Sequence, residues 1–310
     1  MKKSIVLLFA GQGAQEVGMG YSLSEVYPQV NEIIAMADEE LDAELSKVMF
    51  NGPNDKLTQT SWCQPALYVH GLACWEMLKK NCPSLNPVAA AGLSLGEFTA
   101  YSAAGSFSFL DGLKLVAKRG KFMDEACAMT DGSMAAIIGG DEESVRELAK
   151  EYDVDIANLN APGQIVISGS RDNILSAVNK VKDFGCRMGK VLEVAGAYHS
   201  RLMAGAQDKL AQELEKFNIV IPNFPVISNV EAKSIEDIDS IRASLERQVT
   251  GSVRWYESME FILDSNPEVT FIEFSPKPVL AGLMNRIRRE TEVLTVSDPE
   301  SLEEVTIALS

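Results

Sequence analysis

Three observations predict an α/β fold built on a parallel sheet and interrupted by a smaller inserted lobe. Runs of apolar residues with little polar alternation, Ser4 to Phe9 and Val88 to Ala91, alternate with stretches of helical spacing, as in strands covered on both faces. Both runs end in glycine-rich turns, Gly11-Gln12-Gly13 and Gly92-Leu93-Ser94-Leu95-Gly96. In mid-chain the order changes to βαββαβ, the pattern of a ferredoxin-like unit.

Taken in order, the first strand follows Met1-Lys2-Lys3, a charged start before an apolar run that imitates a secretory leader. The apolar part sits at the short limit of about 7 residues, so a buried first strand explains it better. Helical spacing then dominates, with a helix over Gln64 to Lys80 stopped by Asn81 and Pro83. After the second strand, Glu97 to Ala104 and Asp111 to Ala128 are helical, with Asp111 as the expected N-cap. The inserted unit reads as strands at Ser133 to Ile138, Val154 to Asn158, Ile165 to Ser168 and Arg187 to Val194, with helices at Asp141 to Glu151 and Arg171 to Phe184. Beyond it come a helix over Arg201 to Phe217, a short strand at Val226 to Ser228, and helices over Ile238 to Val249 and Arg254 to Asp264. A strand at Val269 to Phe274, a helix over Val279 to Arg289 and a strand at Val293 to Val296 follow. The expected organisation is a discontinuous large domain, residues 1–129 and 197–310, around a small domain of residues 130–196, with a cleft between them.

Composition narrows the function classes. The chain has 310 residues, of which 46% are hydrophobic and 23% charged, the balance of a globular protein. No run approaches the roughly 18 apolar residues of a membrane span. Five cysteines, an odd number without C-x-x-C spacing, and only two histidines support neither a disulfide framework nor a zinc site, so no metal is expected and the chain reads as cytoplasmic. With 44 acidic and 28 basic residues the net charge is −16, which argues against nucleic acid or an anionic membrane as partner.

The chemistry gathers at the second glycine turn. Gly92-x-Ser94-x-Gly96 between a strand and a helix has the form of a nucleophile elbow, which makes the large domain α/β-hydrolase-like. The glycines allow the tight turn that presents the serine hydroxyl, and the unpaired first-turn amide of Leu95 can serve as an oxyanion donor. A serine of this kind needs a base, and the choice lies between His70 and His199. His70 sits inside an apolar helix and reads as a satisfied structural histidine, whereas His199 lies where the inserted lobe rejoins the large domain, facing the cleft. Gly11-Gln12-Gly13 fails as a dinucleotide fingerprint because Glu16 stands where the third glycine belongs; it is either a structural turn or a second source of an oxyanion amide. A plain hydrolase usually carries its histidine last, near the chain end, and lacks an inserted lobe between serine and histidine.

Taken together, F-A-G-Q-G-A-Q at Phe9 to Gln15, T-Q-T-S-W-C-Q-P-A-L at Thr58 to Leu67, G-L-S-L-G-E at Gly92 to Glu97, K-R-G-K-F-M at Lys118 to Met123, N-A-P-G-Q-I-V-I-S-G at Asn160 to Gly169 and G-A-Y-H-S at Gly196 to Ser200 resemble the malonyl-CoA:acyl carrier protein transacylases of fatty-acid and polyketide synthesis. The resemblance runs in order along essentially the whole chain. It implies Ser94 as nucleophile, His199 as base, the amides of Gln12 and Leu95 as oxyanion hole, and Arg119 as holder of the malonyl carboxylate. It also implies that the Gln248 main-chain carbonyl orients the histidine, a dyad without an acidic third member. Alone, Arg119 between Lys118 and Lys121 also reads as part of a solvated helix face; if buried, it would penalise an uncharged acyl group by on the order of 3–5 kcal/mol. Leu93, where many relatives have histidine, and Ser275-Pro276, where Gly-Pro is common, depart from the pattern without removing a catalytic group. Tyr198 resembles the aromatic of malonyl-selecting members and would crowd an α-methyl branch.

The implied partners are malonyl-CoA and acyl carrier protein, with no cofactor and a monomer as the working state. Both partners are acidic, so a local basic patch is expected in an acidic protein, and Arg187 and Lys190 are the candidate CoA phosphate contacts. A serine thioesterase or esterase of the α/β-hydrolase type is the alternative, as is a silent carrier-docking scaffold needing neither Ser94 nor His199.

Overall fold

Ile5 to Phe9 are at most 1% exposed, and the strand they belong to, β1 (Lys3–Phe9), occupies the centre of a five-stranded parallel sheet in the computed structural model, which describes residues 3–310. Met1 and Lys2 of the leader-like start lie outside the described residues. The inserted segment supplies β3 (Gly132–Ile138), β4 (Asp155–Ala161), β5 (Gln164–Ser170) and β6 (Met188–Val191), while β2 (Leu85–Gly92), β7 (Val226–Ile227), β8 (Thr270–Phe274) and β9 (Val293–Val296) join β1. The large sheet has the order β7-β2-β1-β8-β9, with every pair parallel. The small sheet, β4-β5-β3-β6, is antiparallel throughout, the pairing expected of a βαββαβ unit.

Each sheet follows from its sequence pattern. Strands buried on both faces need helices on both sides, and the 22-residue helix Thr60–Asn81 meets this need with sixteen buried positions, from Thr60 to Leu78. The small sheet has its own apolar core, in which Ala135, Ile137, Ile165 and Ile167 pack against Val145, Leu148 and Ile174 of its two helices.

Several boundaries differ from the sequence expectation for physical reasons. The helix expected from Gln64 begins at Thr60, so Pro65 lies within it rather than at its start. Asp111 is not the N-cap: Ser108 is, accepting from the Asp111 amide, and helix Phe109–Met129 starts two residues before Asp111. The helix expected over Arg171 to Phe184 is α-helical only to Lys180, then narrows to a 3-10 turn that Gly185 closes at φ 74°. A final helix, Pro299–Leu309, was legible but absent from the expectation: Asp298 and Ser301 form a capping box, Pro299 sits at the first turn, and Leu302, Val305 and Leu309 line its buried face.

The junction of β2 with helix Leu95–Ala103 is the tightest point of the large sheet. A Cβ on Gly92 would lie 1.9 Å from the Gly96 carbonyl, and one on Gly96 would lie 2.1 Å from the Phe9 carbonyl at the end of β1. The backbone can close up only where those side chains are missing, which is why Ser94 sits at φ 56° on the rim of the sheet. Gly92→Ala is expected to lower folding stability by about 3 kcal/mol, read by chemical denaturation, because backbone and not a movable side chain stands in the way.

Candidate active site

Ser94 emerges from this turn beside the two residues that sequence reasoning set with it. Its Oγ lies 2.8 Å from Nε2 of His199 and accepts from Arg119 Nη2 at 3.1 Å. On the other side of the imidazole, Nδ1 lies 2.8 Å from the Gln248 carbonyl and 3.2 Å from that of Gly251. A carbonyl can only accept, so Nδ1 carries the hydrogen and Nε2 is left as the lone-pair acceptor for the serine hydroxyl. His199 is itself at φ 54°, so both members of the pair stand in backbone conformations that the surrounding structure must enforce.

Arg119 resolves the two readings of its helix. It is 1% exposed, and its acceptors are uncharged: Gln64 Oε1 at 2.8 Å, Gln248 Oε1 at 2.9 Å and the serine. Neighbouring Lys118 turns outward to Glu213, and Lys121 is exposed. Burial lowers the Arg119 pKa to about 10, against the opposing pull of Glu97, yet it remains a cation at neutral pH. Burial, and then the Arg119 charge, lower the His199 pKa to about 4, so the histidine is neutral and ready to accept a proton.

Gln12 and Leu95 line the same cavity, of about 240 Å³, together with Ser94 and His199. Met123 and Tyr198 line it too, together with Met134, Asn160 and Val166 from the segment that forms the small antiparallel sheet. Among the described residues neither the Gln12 nor the Leu95 amide has a hydrogen-bond partner, whereas the Ser94 amide is taken by Asn229 Oδ1 at 2.7 Å. Arg187 and Lys190 are not brought to this site: both are exposed on or beside the outer strand β6, outside the cavity lining. His70 is buried in helix Thr60–Asn81, where its Nε2 meets Cys74 Sγ at 3.6 Å one turn away, and burial lowers its pKa to about 4.

Sequence reasoning assigned no role to three residues that build the site. Gln64 and Glu97 stood inside quoted motifs, but nothing in their spacing says that one holds Arg119 and the other lies beneath the elbow. Asn229 gave no signal. Its side chain nonetheless spans the turn, donating to the Gly92 carbonyl at 2.7 Å while accepting from Ser94. Among the described residues no group of three or more His, Cys, Asp or Glu side chains could hold a metal ion, and no helix is long and apolar enough to cross a membrane.

A serine at a strand-to-helix elbow, hydrogen-bonded to a neutral histidine inside an interlobe cavity, has the makings of a serine-nucleophile acyl-transfer site. The chain matches the family described as acyl transferase domain along residues 6–302, and it belongs to that family. It is 40% identical to the malonyl CoA-acyl carrier protein transacylase of Bacillus subtilis (strain 168), over 96% of this chain and 95% of the relative. The solved structure of the malonyl CoA-acyl carrier protein transacylase from Coxiella burnetii superposes with a TM-score of 0.95 at 34% identity, covering 100% of this chain and 98% of that one. A type II polyketide synthase acyl-carrier protein in complex with its malonyl-transacylase gives 0.94 at 35% identity, covering 99% and 100%.

Because His199 is neutral down to about pH 4, labelling of Ser94 by a fluorophosphonate is expected to hold level as pH falls from neutrality and to drop only as that value is approached. In Arg119→Gln the acid midpoint moves upward, since a neighbouring positive charge that opposes protonation has been removed. Quenched-flow or gel-based labelling rates across the pH range measure both.

Proposed function

We propose that this protein moves the malonyl group of malonyl-CoA to the phosphopantetheine thiol of acyl carrier protein through a malonyl-serine at Ser94. The observation that carries this reading is the buried guanidinium of Arg119, held only by uncharged acceptors and donating to the oxygen that would bear the acyl group. A cation so placed is complementary to an acyl group ending in a carboxylate, which it can grip through charge-assisted hydrogen bonds. The names of the similar proteins support the same donor and acceptor.

In the first half-reaction His199 Nε2 takes the Ser94 hydroxyl proton as Oγ attacks the thioester carbonyl. The amides of Gln12 and Leu95 receive the developing oxyanion, and the tetrahedral intermediate collapses with expulsion of CoA, whose sulfur takes the proton back from His199. The carrier's thiol then enters the same cavity, gives its proton to His199 and attacks the malonyl ester; departing Ser94 Oγ recovers the proton. Gln248 and Gly251 hold the imidazole by main-chain carbonyls, so no carboxylate completes the dyad. Tyr198, anchored to Thr60 at 2.6 Å, presents a fixed ring to the cavity and crowds an α-methyl branch. No cofactor enters any step.

The reading divides the chain into a catalytic domain of residues 1–129 and 197–310 and a small domain of residues 130–196, in keeping with a second apolar core drawn only from the inserted segment. Arg187 and Lys190, exposed outside the cavity, are assigned to the phosphates of the CoA nucleotide that projects from it. Five free cysteines fit a cytoplasmic setting, and one copy of the chain holds every group named.

Intact-mass analysis after brief exposure to malonyl-CoA should show one malonyl group on the wild type and none on Ser94→Ala, followed by its transfer to added pantetheinylated carrier. Free malonate without carrier product would instead indicate a thioesterase, and no acyl-enzyme at all would overturn the assignment of Ser94. Arg119→Ala should reduce the preference for malonyl-CoA over acetyl-CoA, measured as the ratio of kcat/KM values, by roughly two orders of magnitude or more, corresponding to about 3–5 kcal/mol.

A further inference from the structure

Beneath the elbow lies a second buried charged group for which the reaction above has no use. Glu97, three residues after the nucleophile on helix Leu95–Ala103, is 0% exposed. One carboxylate oxygen, Oε2, accepts from Gln248 Nε2 at 2.6 Å and from the Asn229 amide at 3.1 Å; the other, Oε1, is buried with no partner among the described residues. The same Gln248 side chain accepts from Arg119 through its Oε1 at 2.9 Å and donates to the Ser94 carbonyl at 2.8 Å. A single carboxamide therefore separates the buried cation from the buried carboxyl, its two ends satisfying one each. The asparagine that bonds Glu97 through its main chain also clasps the elbow on both sides of Leu93.

Resting on the transacylase reading, we infer that Glu97 is the built-in counter-charge of Arg119 in the free enzyme, and that it takes up a proton from solvent when a malonyl carboxylate replaces it in that role. Two buried charges linked through one amide nearly neutralise each other, which lets the guanidinium remain charged in an empty site. A bound malonyl group brings a second negative charge to Arg119. The pocket would then hold two carboxylates and one cation, and the carboxyl that is sealed from water, with an unpartnered oxygen, is the one that becomes neutral by binding a proton on Oε1. Glu97 acts through Gln248 and Arg119 and touches no reacting atom, so it is a positioning residue.

The surroundings favour this exchange. Burial raises the Glu97 pKa to about 7, while the hydrogen bonds from Gln248 and Asn229 and the charge of Arg119 hold it down. The titratable groups within its reach are few: Arg119 from helix Phe109–Met129, Tyr101 from its own helix, which burial keeps protonated, and beyond them the neutral His199. From the Asn229 and Gln248 segments it meets only amides. Compensating Arg119 from outside removes the principal charge that lowers the Glu97 pKa, so the value rises and protons are taken up from neutral or mildly alkaline solution.

The test is proton uptake during malonylation, measured with a pH indicator in weak buffer or by calorimetry in buffers of different ionisation heat, with the malonyl-serine quantified in the same samples by intact mass. Wild type should take up a fraction of a proton per malonyl-serine, growing between about pH 6 and pH 8 as more of free Glu97 is ionised. Glu97→Gln, neutral and nearly isosteric, should form malonyl-serine without that additional uptake; contributions from the CoA thiol and His199 are common to both proteins and cancel in the difference. Equal uptake by the two proteins, or folded Glu97→Gln that forms no malonyl-serine, overturns the inference. Should the variant not fold, wild type decides alone: malonyl-CoA binding must take up protons in excess of acetyl-CoA binding, which brings no carboxylate and leaves Glu97 as the counter-charge of Arg119, and equal uptake with the two overturns it. Absence of malonyl-serine on the wild type would instead overturn the transacylase reading beneath it.

Discussion

The site depends on keeping one positive charge in a place where water cannot reach it. Arg119 projects from the middle of a long helix into the region under Ser94, where a guanidinium is costly unless its donors are met. Gln64, Gln248 and Ser94 accept from its two terminal nitrogens, each from a different part of the chain, while Nε has no partner among the described residues. Helix Thr60–Asn81, the elbow and the turn after helix Ile238–Arg247 must therefore be docked together before the charge can be buried. The same cation helps keep His199 neutral, so the protonation state of the imidazole is tied to the burial of Arg119.

Around that charge the backbone is held in uncommon conformations. Ser94 and His199 both have positive φ, and they face each other at hydrogen-bonding distance across the interlobe cavity. Close packing of β1 against the elbow glycines enforces the first; the carbonyls of Gln248 and Gly251, pulling on the imidazole, fix the ring of the second. An imidazole oriented by two carbonyls has a defined tautomer without an adjacent carboxylate, whose negative charge would stabilise protonated His199 and offset the effect of Arg119. Apolar Met134, Val166, Leu192 and Val194 and the amide side chains of Asn158, Asn160 and Gln164, all from the segment of the small sheet, close the other side of the cavity.

What the sequence by itself determined is the part of the protein governed by local pattern. Unbroken apolar runs specified β1 and β2, the switch to βαββαβ order located the small lobe, and glycine spacing marked the elbow, because each depends on neighbours within a few residues. The helix Pro299–Leu309 belongs to this legible part, since its capping box and buried stripe are written in eleven residues. The glycine elbow pointed to Ser94 and its need for a base to His199, chosen over His70 by its place at the lobe junction, whereas the role expected of Arg119 came from motif resemblance. Tertiary structure decided the rest. Whether Arg119 lies on a wet helix face or inside, that Asn229 spans the elbow, and that Glu97 and Arg119 share one glutamine are set by contacts between segments far apart in sequence. Burial and charge compensation are properties of three-dimensional neighbourhoods, and no periodicity along the chain encodes them.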